Sequence, residues 1–286
     1  MSRVNWRRYK PLGRPTALVA YRGWGDAGEA SSRAVDHVLS IHPSVLLEEI
    51  DAEEYFDFQV LRPEIRFAQG GSVSLTWPST KIYLTTPPGE SPLLVITGDE
   101  PHARWKTYVR QIMDLCRTAG VEKVLTMGAF MGQVAHTLPV PMVGRATHPD
   151  QLHRHGLFGS NYQGPTGIVG VLHQAFTQEG WNALTLWAAV PHYLSTQEYP
   201  PASLALVEKA SQILGIDLQP SPLEVEVSEF RDKLEAVIAE SEDLAGYIKH
   251  LEEELSQGDD LQPEDLEDAR DQMISEIEEF LRRPEN

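Results

Sequence analysis

The sequence has few cysteines, no long apolar run and few of the patterns that bind metals. Cys116 is the single cysteine among 286 residues, so an internal disulfide is excluded. His153 and His155 alternate, which by itself is weak support for a ligand pair, and no His-Glu-x-x-His or cysteine pair occurs. No secretory signal and no segment long enough to span a bilayer is recognisable. We therefore expect a cytoplasmic protein with no metal.

Basic residues are also scarce, and the acidic excess is unevenly distributed. The chain has 24 Lys and Arg against 42 Asp and Glu, a formal net charge of −18. Residues 223–286 alone hold 22 acidic and 6 basic residues, a net of −16. Because phosphate contacts need Lys and Arg, we expect no nucleic-acid binding. An acidic tail is compatible with a basic protein partner, although a solvated surface is its commoner meaning.

Signatures of catalysis are missing as well. No Gly-x-Ser-x-Gly elbow is present, and Ser160 lies in Phe-Gly-Ser-Asn, which lacks that spacing. Cys116 falls on the apolar side of a predicted helix with Ile112 and Ala119, which favours a core residue over a nucleophile. We expect no cofactor and lean towards a protein that is not an enzyme.

The sequence does contain a clear strand–turn–helix unit near its start. Thr16–Tyr21 is a short apolar run typical of a strand covered on both faces. A turn with three glycines follows, and from Ala30 apolar residues recur at helical spacing. Asp26 and Glu29 are spaced as a capping box at the start of that helix.

Further strands and helices alternate along the chain. Strands are predicted at 45–50, 93–97, 124–129, 143–146 and 183–190, with a hairpin formed by 72–77 and 81–86. Helices are predicted from Pro101 to Gly120, over 166–178 and over 201–214. This order predicts an open, mostly parallel sheet with helices on both faces.

Polar residues follow most of the predicted strands. Ligands of such sheets bind beyond the carboxyl ends of the strands, so these side chains form a candidate pocket. The candidates are Asp26, Asp99, Glu100, His102, Gln133, His136, His148 and His192. The alternative is that they are ordinary polar loop residues and that Asp26 only caps its helix.

Glycines mark two of these turns. They are Gly23, Gly25, Gly28, Gly128 and Gly132. The first three match the Gly-x-Gly-x-x-Gly pattern of dinucleotide sites, with Glu48 twenty residues after the last. A carboxylate at Asp26 would occupy the amides that a pyrophosphate needs, and Trp24 is bulky where a ligand must approach. A structural turn is therefore favoured over a cofactor site.

The C-terminal part has a different pattern. After Pro220-Ser-Pro222, apolar residues from Phe230 to Leu255 follow a heptad spacing that only Ser241 interrupts. Gly258 ends this helix and Pro263 begins another, which predicts an αα-hairpin. We expect an α/β domain over residues 1–220 and an acidic helical appendage over 221–286. The apolar stripe either packs within the protein, the commoner outcome, or docks another chain.

Four stretches together resemble the family of the second proteasome-assembly chaperone and its prokaryotic relatives, in particular the actinobacterial branch. They are Gly23–Ala30, Thr97–Pro101 with Trp105, Gly128–Pro139, and Tyr162–Gly167 with Pro191–Tyr193. The resemblance covers about residues 15–215. It implies a three-layer α/β/α sandwich similar to the nucleoside phosphorylase/hydrolase architecture, and a role in binding protein partners related to the proteasome.

The resemblance leaves two hypotheses about function. The first is a non-catalytic, chaperone-like protein that acts as a homo-oligomer, with a trimer as the first guess. The C-terminal hydrophobic-Tyr-any motif of archaeal relatives is missing, since the chain ends Arg283-Pro-Glu-Asn286. The second is a nucleoside- or nucleotide-type ligand-binding protein or hydrolase, with Asp26, Glu100, His136 and His192 lining the cleft.

Overall fold

The computed structural model describes residues 14–67, 72–194 and 197–257, and their side chains as far as residue 253. The strands are β1 (Thr16–Arg22), β2 (Ser44–Ile50), β3 (Glu64–Phe67), β4 (Val73–Thr76), β5 (Thr80–Thr85), β6 (Leu93–Asp99), β7 (Lys123–Gly132), β8 (Met142–Ala146), β9 (Phe158–Gly159) and β10 (Asn182–Pro191). The helices are α1 (Ala30–Ile41), α2 (Trp105–Ala119), α3 (Asp150–Arg154), α4 (Ile168–Gln178), α5 (Pro200–Leu214), α6 (Ser221–Ala239) and α7 (Glu242–Gln257).

One sheet of eight strands organises the molecule, in the order β2-β5-β6-β1-β7-β10-β8-β9. The four central strands β6, β1, β7 and β10 run parallel to one another. β5 and β8 pair antiparallel with the two ends of this parallel block. The carboxyl ends of these four strands therefore lie at one edge of the sheet, and the turns that follow them begin there.

The sheet is covered by helices on both faces, as the continuous apolar strands require. Leu18 and Ala20 of β1 point to one side, where α1, α5, α6 and α7 contribute to a single apolar cluster. Val19 and Tyr21 point to the other side, against α2 and α4. The mixed α/β class with a mostly parallel, helix-flanked sheet is thus confirmed. The predicted likeness to nucleoside phosphorylases stays a prediction.

The predicted hairpin of 72–77 with 81–86 is wrong. β4 pairs with β3 in a separate two-stranded sheet, whereas β5 lies in the main sheet between β2 and β6. Pro78-Ser79 does not supply the positive-φ residues that a two-residue hairpin loop needs. Ile82 of β5 is fully buried, so this strand gains more apolar contact in the main sheet.

The second helix also begins later than predicted. Pro101 does not open it, because Arg104 has a left-handed backbone (φ 58°) and α2 starts at Trp105. The predicted end is confirmed: Gly120 lies in the left-handed region (φ 76°) and donates to the carbonyls of Cys116 and Arg117. Cys116 is buried in the core, and burial raises the pKa of its thiol to about 12.

The heptad stripe belongs to two helices, divided where the serine interrupts it. α6 ends at Ala239, and Ser241 Oγ accepts a hydrogen bond from the amide of Leu244 (3.3 Å) at the start of α7. Leu234, Leu244 and Ile248 are buried in the same cluster as α1 and α5. The stripe therefore packs on the α/β core. The predicted helix after Pro263 lies outside the described residues, and the division at residue 220 stays a prediction.

A spanning helix needs roughly 20 consecutive apolar residues. Within the described ranges, no helix combines enough length with enough apolar character to meet this requirement.

Candidate functional site

The register of the central strands brings four turns to one edge of the sheet. Arg22 lies beside Asp99, and Gly132 lies beside Pro191. Asp26 forms an isolated parallel bridge with Ala129. The turns that follow β1, β6, β7 and β10 therefore meet at the carboxyl edge, as the parallel arrangement predicts.

Asp26 caps α1 through its side chain. The amide and the hydroxyl of Ser31 donate to Asp26 Oδ1 (2.7 and 2.6 Å), and the amide of Ser32 donates to the same oxygen (3.1 Å). The predicted capping box with Glu29 does not form, because Gly28 and Glu29 adopt left-handed backbones before the helix begins. Asp26 is only 7% exposed, and its Oδ2 has no partner among the described residues.

Glu100 joins the first turn to the start of α4. Its Oε2 accepts from the amide of Trp24 (3.0 Å) and its Oε1 from the amide of Ile168 (2.7 Å). Gly23 and Gly167 make room for this side chain, since a Cβ at either position would lie 2.7 Å from a Glu100 atom. Glu100 thus joins two segments that lie 76 residues before it and 68 residues after it in the chain.

The three glycines of the Gly-x-Gly-x-x-Gly motif are each required by a neighbour within the chain. Gly23 faces Glu100. A Cβ at Gly25 would lie 3.1 Å from the ring of Trp187, and one at Gly28 (φ 59°) would lie 2.8 Å from the Cβ of Tyr199. The motif is therefore explained by internal packing.

The helix N-termini at this edge hold the protein's own carboxylates. Asp26 accepts from the first amides of α1, and Glu100 accepts from the first amide of α4. A phosphate would need these same donors, and it would be repelled by the two carboxylates. This geometry argues against the dinucleotide interpretation of the motif.

His136 and His192 come together around two tyrosines. The hydroxyl of Tyr193 lies 2.7 Å from His136 Nδ1 and accepts from the His136 amide (2.9 Å). His192 Nε2 lies 2.8 Å from the hydroxyl of Tyr247 on α7, and His192 Nδ1 lies 3.3 Å from the carbonyl of Gly132. Burial lowers the pKa of His136. This group fixes α7 against the carboxyl edge.

Of the four other predicted residues, Gln133 directly follows Gly132, whose carbonyl faces His192, and the remaining three have other surroundings. Asp99 pairs with Arg22, His102 Nδ1 accepts from the amide of Asp57 (2.9 Å), and Gln133 lies in the turn after β7. His148 is at the opposite edge of the sheet, because β8 runs antiparallel to β10 and its last residue, Ala146, lies beside Leu184. The expectation that His148 joins the other candidates is therefore wrong.

A cavity of about 1580 Å³ opens beside these turns. Ligand pockets are typically about 300–1,000 Å³, so there is room for a small molecule. Among the predicted residues, Asp26, Gly23 and Gly28 line the cavity, whereas Glu100, His136 and His192 are not among its lining residues in the described part of the chain.

The floor of the cavity is formed by β10 and β8. Thr185 lies opposite Arg145 and Trp187 lies opposite Val143, and all four residues line the cavity. His173 of α4 forms part of one wall. These residues were missed because the sequence analysis followed polar residues after strands. Two signals were present: a threonine inside an apolar strand, and a histidine between Leu172 and Phe176 on an apolar helix face.

The cavity lining contains buried polar atoms without partners among the described residues. Thr185 is 2% exposed and His173 is 6% exposed, and neither Thr185 Oγ1 nor His173 Nδ1 has a hydrogen-bond partner among the described residues. Burial lowers the pKa of His173 to about 4, and the positive charge of Arg145 acts in the same direction. His173 is therefore neutral at pH 7.

A metal site needs several His, Cys, Asp or Glu side chains that converge on one point. Across residues 14–67, 72–194 and 197–253, no three or more His, Cys, Asp or Glu side chains are arranged as metal ligands. The cavity lining contains aromatic rings, neutral donors and acceptors, and charged side chains of both signs. The charged residues are Asp26, Glu29, Glu198, Arg145 and Lys233.

Comparisons with known proteins give one consistent result. The model of the PAC2 family matches residues 20–238. The chain is 35% identical to a Mycobacterium tuberculosis proteasome-assembly chaperone homologue, with a TM-score of 0.75 over 82% of this chain and 99% of the other. It is 34% identical to a PAC2 family protein from Streptomyces avermitilis, with a TM-score of 0.74 over the same shares.

A more distant structure has the same fold. Pyrococcus furiosus PbaB, an archaeal proteasome activator, is 16% identical, with a TM-score of 0.63 over 79% of this chain and 94% of that one. At this identity the likeness concerns the fold alone. No curated protein sequence matches the chain.

Proposed function

Because the chain belongs to the PAC2 family, we propose that it is a non-catalytic protein-binding protein of the assembly-chaperone type with proteasome-related partners. A similar protein from Mycobacterium tuberculosis is described as a proteasome-assembly chaperone homologue, which supports this proposal. The proposal includes a cytoplasmic location and action as a homo-oligomer.

One structural observation carries the protein-binding role. The two-stranded sheet of β3 and β4, which we call the apolar hairpin (residues 64–67 and 73–76), presents large apolar side chains to solvent. Phe67 is 81% exposed and Ile65 is 65% exposed, and Val73 and Leu75 are exposed as well. Soluble monomers rarely expose such contiguous apolar surface, and where it occurs it marks an interaction site.

A second copy of this chain is the occupant that we propose for the apolar hairpin. The segment 58–77 has two arginines and one glutamate, whereas the whole chain has a net charge of −18. Two copies can therefore approach through this segment without bringing acidic clusters together. A trimer is the oligomer that we propose first.

The acidic C-terminal region is the surface that we propose for the partner. Residues 221–286 form the appendage in this proposal, and most of the negative charge lies there. Deleting all of it would also remove buried core residues such as Leu223 and Val227. A deletion of residues 258–286, which removes 11 acidic and 3 basic residues, leaves α6 and α7 in place.

Oligomeric state is tested by the mass in solution, measured by light scattering. We expect the wild type to be an oligomer and Phe67→Ser to shift it to monomer, because a polar side chain removes apolar area from the contact. Val225→Ser, which changes an exposed apolar residue on α6, is the matched control. A monomeric wild type, or an unchanged mass for Phe67→Ser, would contradict the proposed contact.

Partner binding is tested separately with purified proteasome α- and β-type subunits. Native mass measurements of the mixtures should give a complex with the wild type that weakens for the 258–286 deletion. Absence of any complex with the wild type would reject the chaperone-type role. Loss of the complex in Phe67→Ser, with the oligomer intact, would assign the apolar hairpin to the partner.

The competing function is a nucleoside- or nucleotide-type ligand-binding protein or hydrolase, and the cavity is the observation that favours it. The carboxylates at the two helix N-termini oppose phosphate binding there. Thermal-shift measurements with nucleosides and nucleotides test it, because a ligand specific for the native state raises apparent stability. A nucleoside or nucleotide that raises the unfolding temperature of the protein would support this alternative.

A further inference from the structure

The cavity between α4 and the β10–β8 floor has features of a built binding site. It contains polar groups that are buried but unpaired, namely Thr185 Oγ1 and His173 Nδ1. Leaving a buried polar group without a partner costs about 1–3 kcal/mol, so native proteins do so only rarely. Both residues line the cavity, where a ligand can supply the missing partners.

An aromatic surface lies on the same floor. Trp187 packs over the backbone of Gly25 and Gly128, where a Cβ would lie 3.1 and 2.5 Å from its ring. These glycines hold the indole in place, and Trp187 also lines the cavity. A fixed indole beside an open cavity is a stacking platform for a planar ring.

The guanidinium group of Arg145 belongs to a residue two positions along β8 from the one opposite Trp187. Arg145 is opposite Thr185, as Val143 is opposite Trp187. Its guanidinium donates to the carbonyl of Tyr162, and no carboxylate within salt-bridge distance of it is found in the described part of the chain. Two residues of a strand correspond to about 6–7 Å.

We propose that this cavity binds a small carboxylic acid that carries a flat aromatic ring, with the ring on Trp187 and the carboxylate at Arg145 and Thr185. Neutral His173 supplies a further hydrogen-bonding group, because protonation would place a second positive charge beside Arg145 in a buried setting. The site is separate from the apolar hairpin, so the inference does not depend on the proposed function.

The probe is 3-phenylpropionate, whose flexible two-carbon spacer separates ring and acid by approximately this distance. Binding is measured by calorimetry and by quenching of tryptophan fluorescence, with 3-phenylpropanol and propionate as comparisons. We expect 3-phenylpropionate to bind at least 10-fold more tightly than either comparison. Failure of 3-phenylpropionate to bind, or equal binding of the alcohol, would overturn the proposal.

Thr185→Val tests the residue assignment without harming the fold. The change removes an unpaired buried hydroxyl, so stability should be unchanged or higher, while affinity for 3-phenylpropionate falls about 5-fold or more. Thr126→Val is the matched control: Thr126 lies beside Thr185 on β7, is fully buried and has an unpaired hydroxyl, but it does not line the cavity. An equal effect of both variants on affinity would contradict the site.

Arg145→Gln tests the charge. It should reduce binding of 3-phenylpropionate to the level of 3-phenylpropanol and leave binding of the alcohol unchanged. A variant that still prefers the acid would refute the role of Arg145. Arg154→Gln, an exposed substitution on α3, controls for the loss of one positive charge from the protein.

Discussion

Two polar regions of the molecule differ in how their groups are paired. At the carboxyl edge, Asp26 and Glu100 accept hydrogen bonds from the amides that begin α1 and α4. In the cavity lining, Thr185 of the floor and His173 of the wall retain buried polar atoms with no partner in the described part of the chain. Paired atoms such as Asp26 Oδ1 hold the fold together. Unpaired atoms of residues that line the cavity, Asp26 Oδ2 among them, leave capacity for a ligand.

The largest expected effect tests the structural side of this comparison. Asp26→Ala removes an acceptor of three hydrogen bonds at the start of α1, so the free energy of unfolding should fall by about 2–4 kcal/mol. Urea denaturation measures this. Asp26→Asn keeps an oxygen acceptor and should lose less.

Asp51→Ala is the control for that change. Asp51 accepts a single bond from Glu53 (3.0 Å) at an exposed turn, and its loss should cost at most about 1 kcal/mol. If Asp26→Ala were as mild as Asp51→Ala, Asp26 would not be the structural cap, and the distinction between the two regions would fail.

A smaller effect is expected from crowding Trp187. Gly128→Ala places a methyl group 2.5 Å from the indole, and overpacking of this kind costs about 1–3 kcal/mol. Gly246→Ala in α7 meets open space and should instead stabilise by about 0.5–1 kcal/mol. Thermal unfolding of both variants checks the opposite signs, and two destabilised variants would show that packing at Trp187 is not the cause.

The smallest expected effect is the pH dependence that His173 contributes. Its pKa is about 4 in the native state against 6.5 unfolded, so the unfolded chain binds the proton first as the pH falls. The free energy of unfolding should therefore decrease as the pH falls from about 6.5 to about 4. The shift corresponds to at most about 3 kcal/mol, and we expect about 1–2 kcal/mol after relaxation of the site.

His173→Gln removes that contribution. Its unfolding free energy should depend less on pH than that of the wild type in the same window, measured by urea titrations at several pH values. Burial also lowers the pKa of His136, but this residue is present in both proteins. Its contribution therefore cancels when the unfolding free energies of wild type and His173→Gln are subtracted. His153→Gln on the exposed face of α3 is the control. Parallel curves for wild type and His173→Gln would contradict the assignment.

Much of the fold was accessible from the sequence because local pattern and tertiary environment agree there. The apolar runs at Thr16–Arg22 and Asn182–Pro191 are strands covered on both faces. The pattern failed at β4 and β5, where two neighbouring strands join different sheets. Strand pairing is a non-local choice, and a short run of alternating residues contains no information about its partner.

The candidate site was only partly accessible for a related reason. The sequence correctly predicts that polar residues after the parallel strands lie at one edge. His148 follows β8, which is antiparallel to β10, and therefore lies at the other edge. The cavity floor depends on which residues of β8 and β10 lie opposite each other. That register follows from the packing of the whole sheet and cannot be inferred from the residues of either strand alone.

The contact between Trp187 and two glycines has a consequence for how relatives of this chain can vary. The indole occupies the volume that side chains at positions 25 and 128 would need. The total side-chain volume at positions 25, 128 and 187 is therefore limited, and substitutions at these positions should covary. Family members with a smaller residue in place of Trp187 should tolerate alanine or serine where this chain has Gly25 and Gly128.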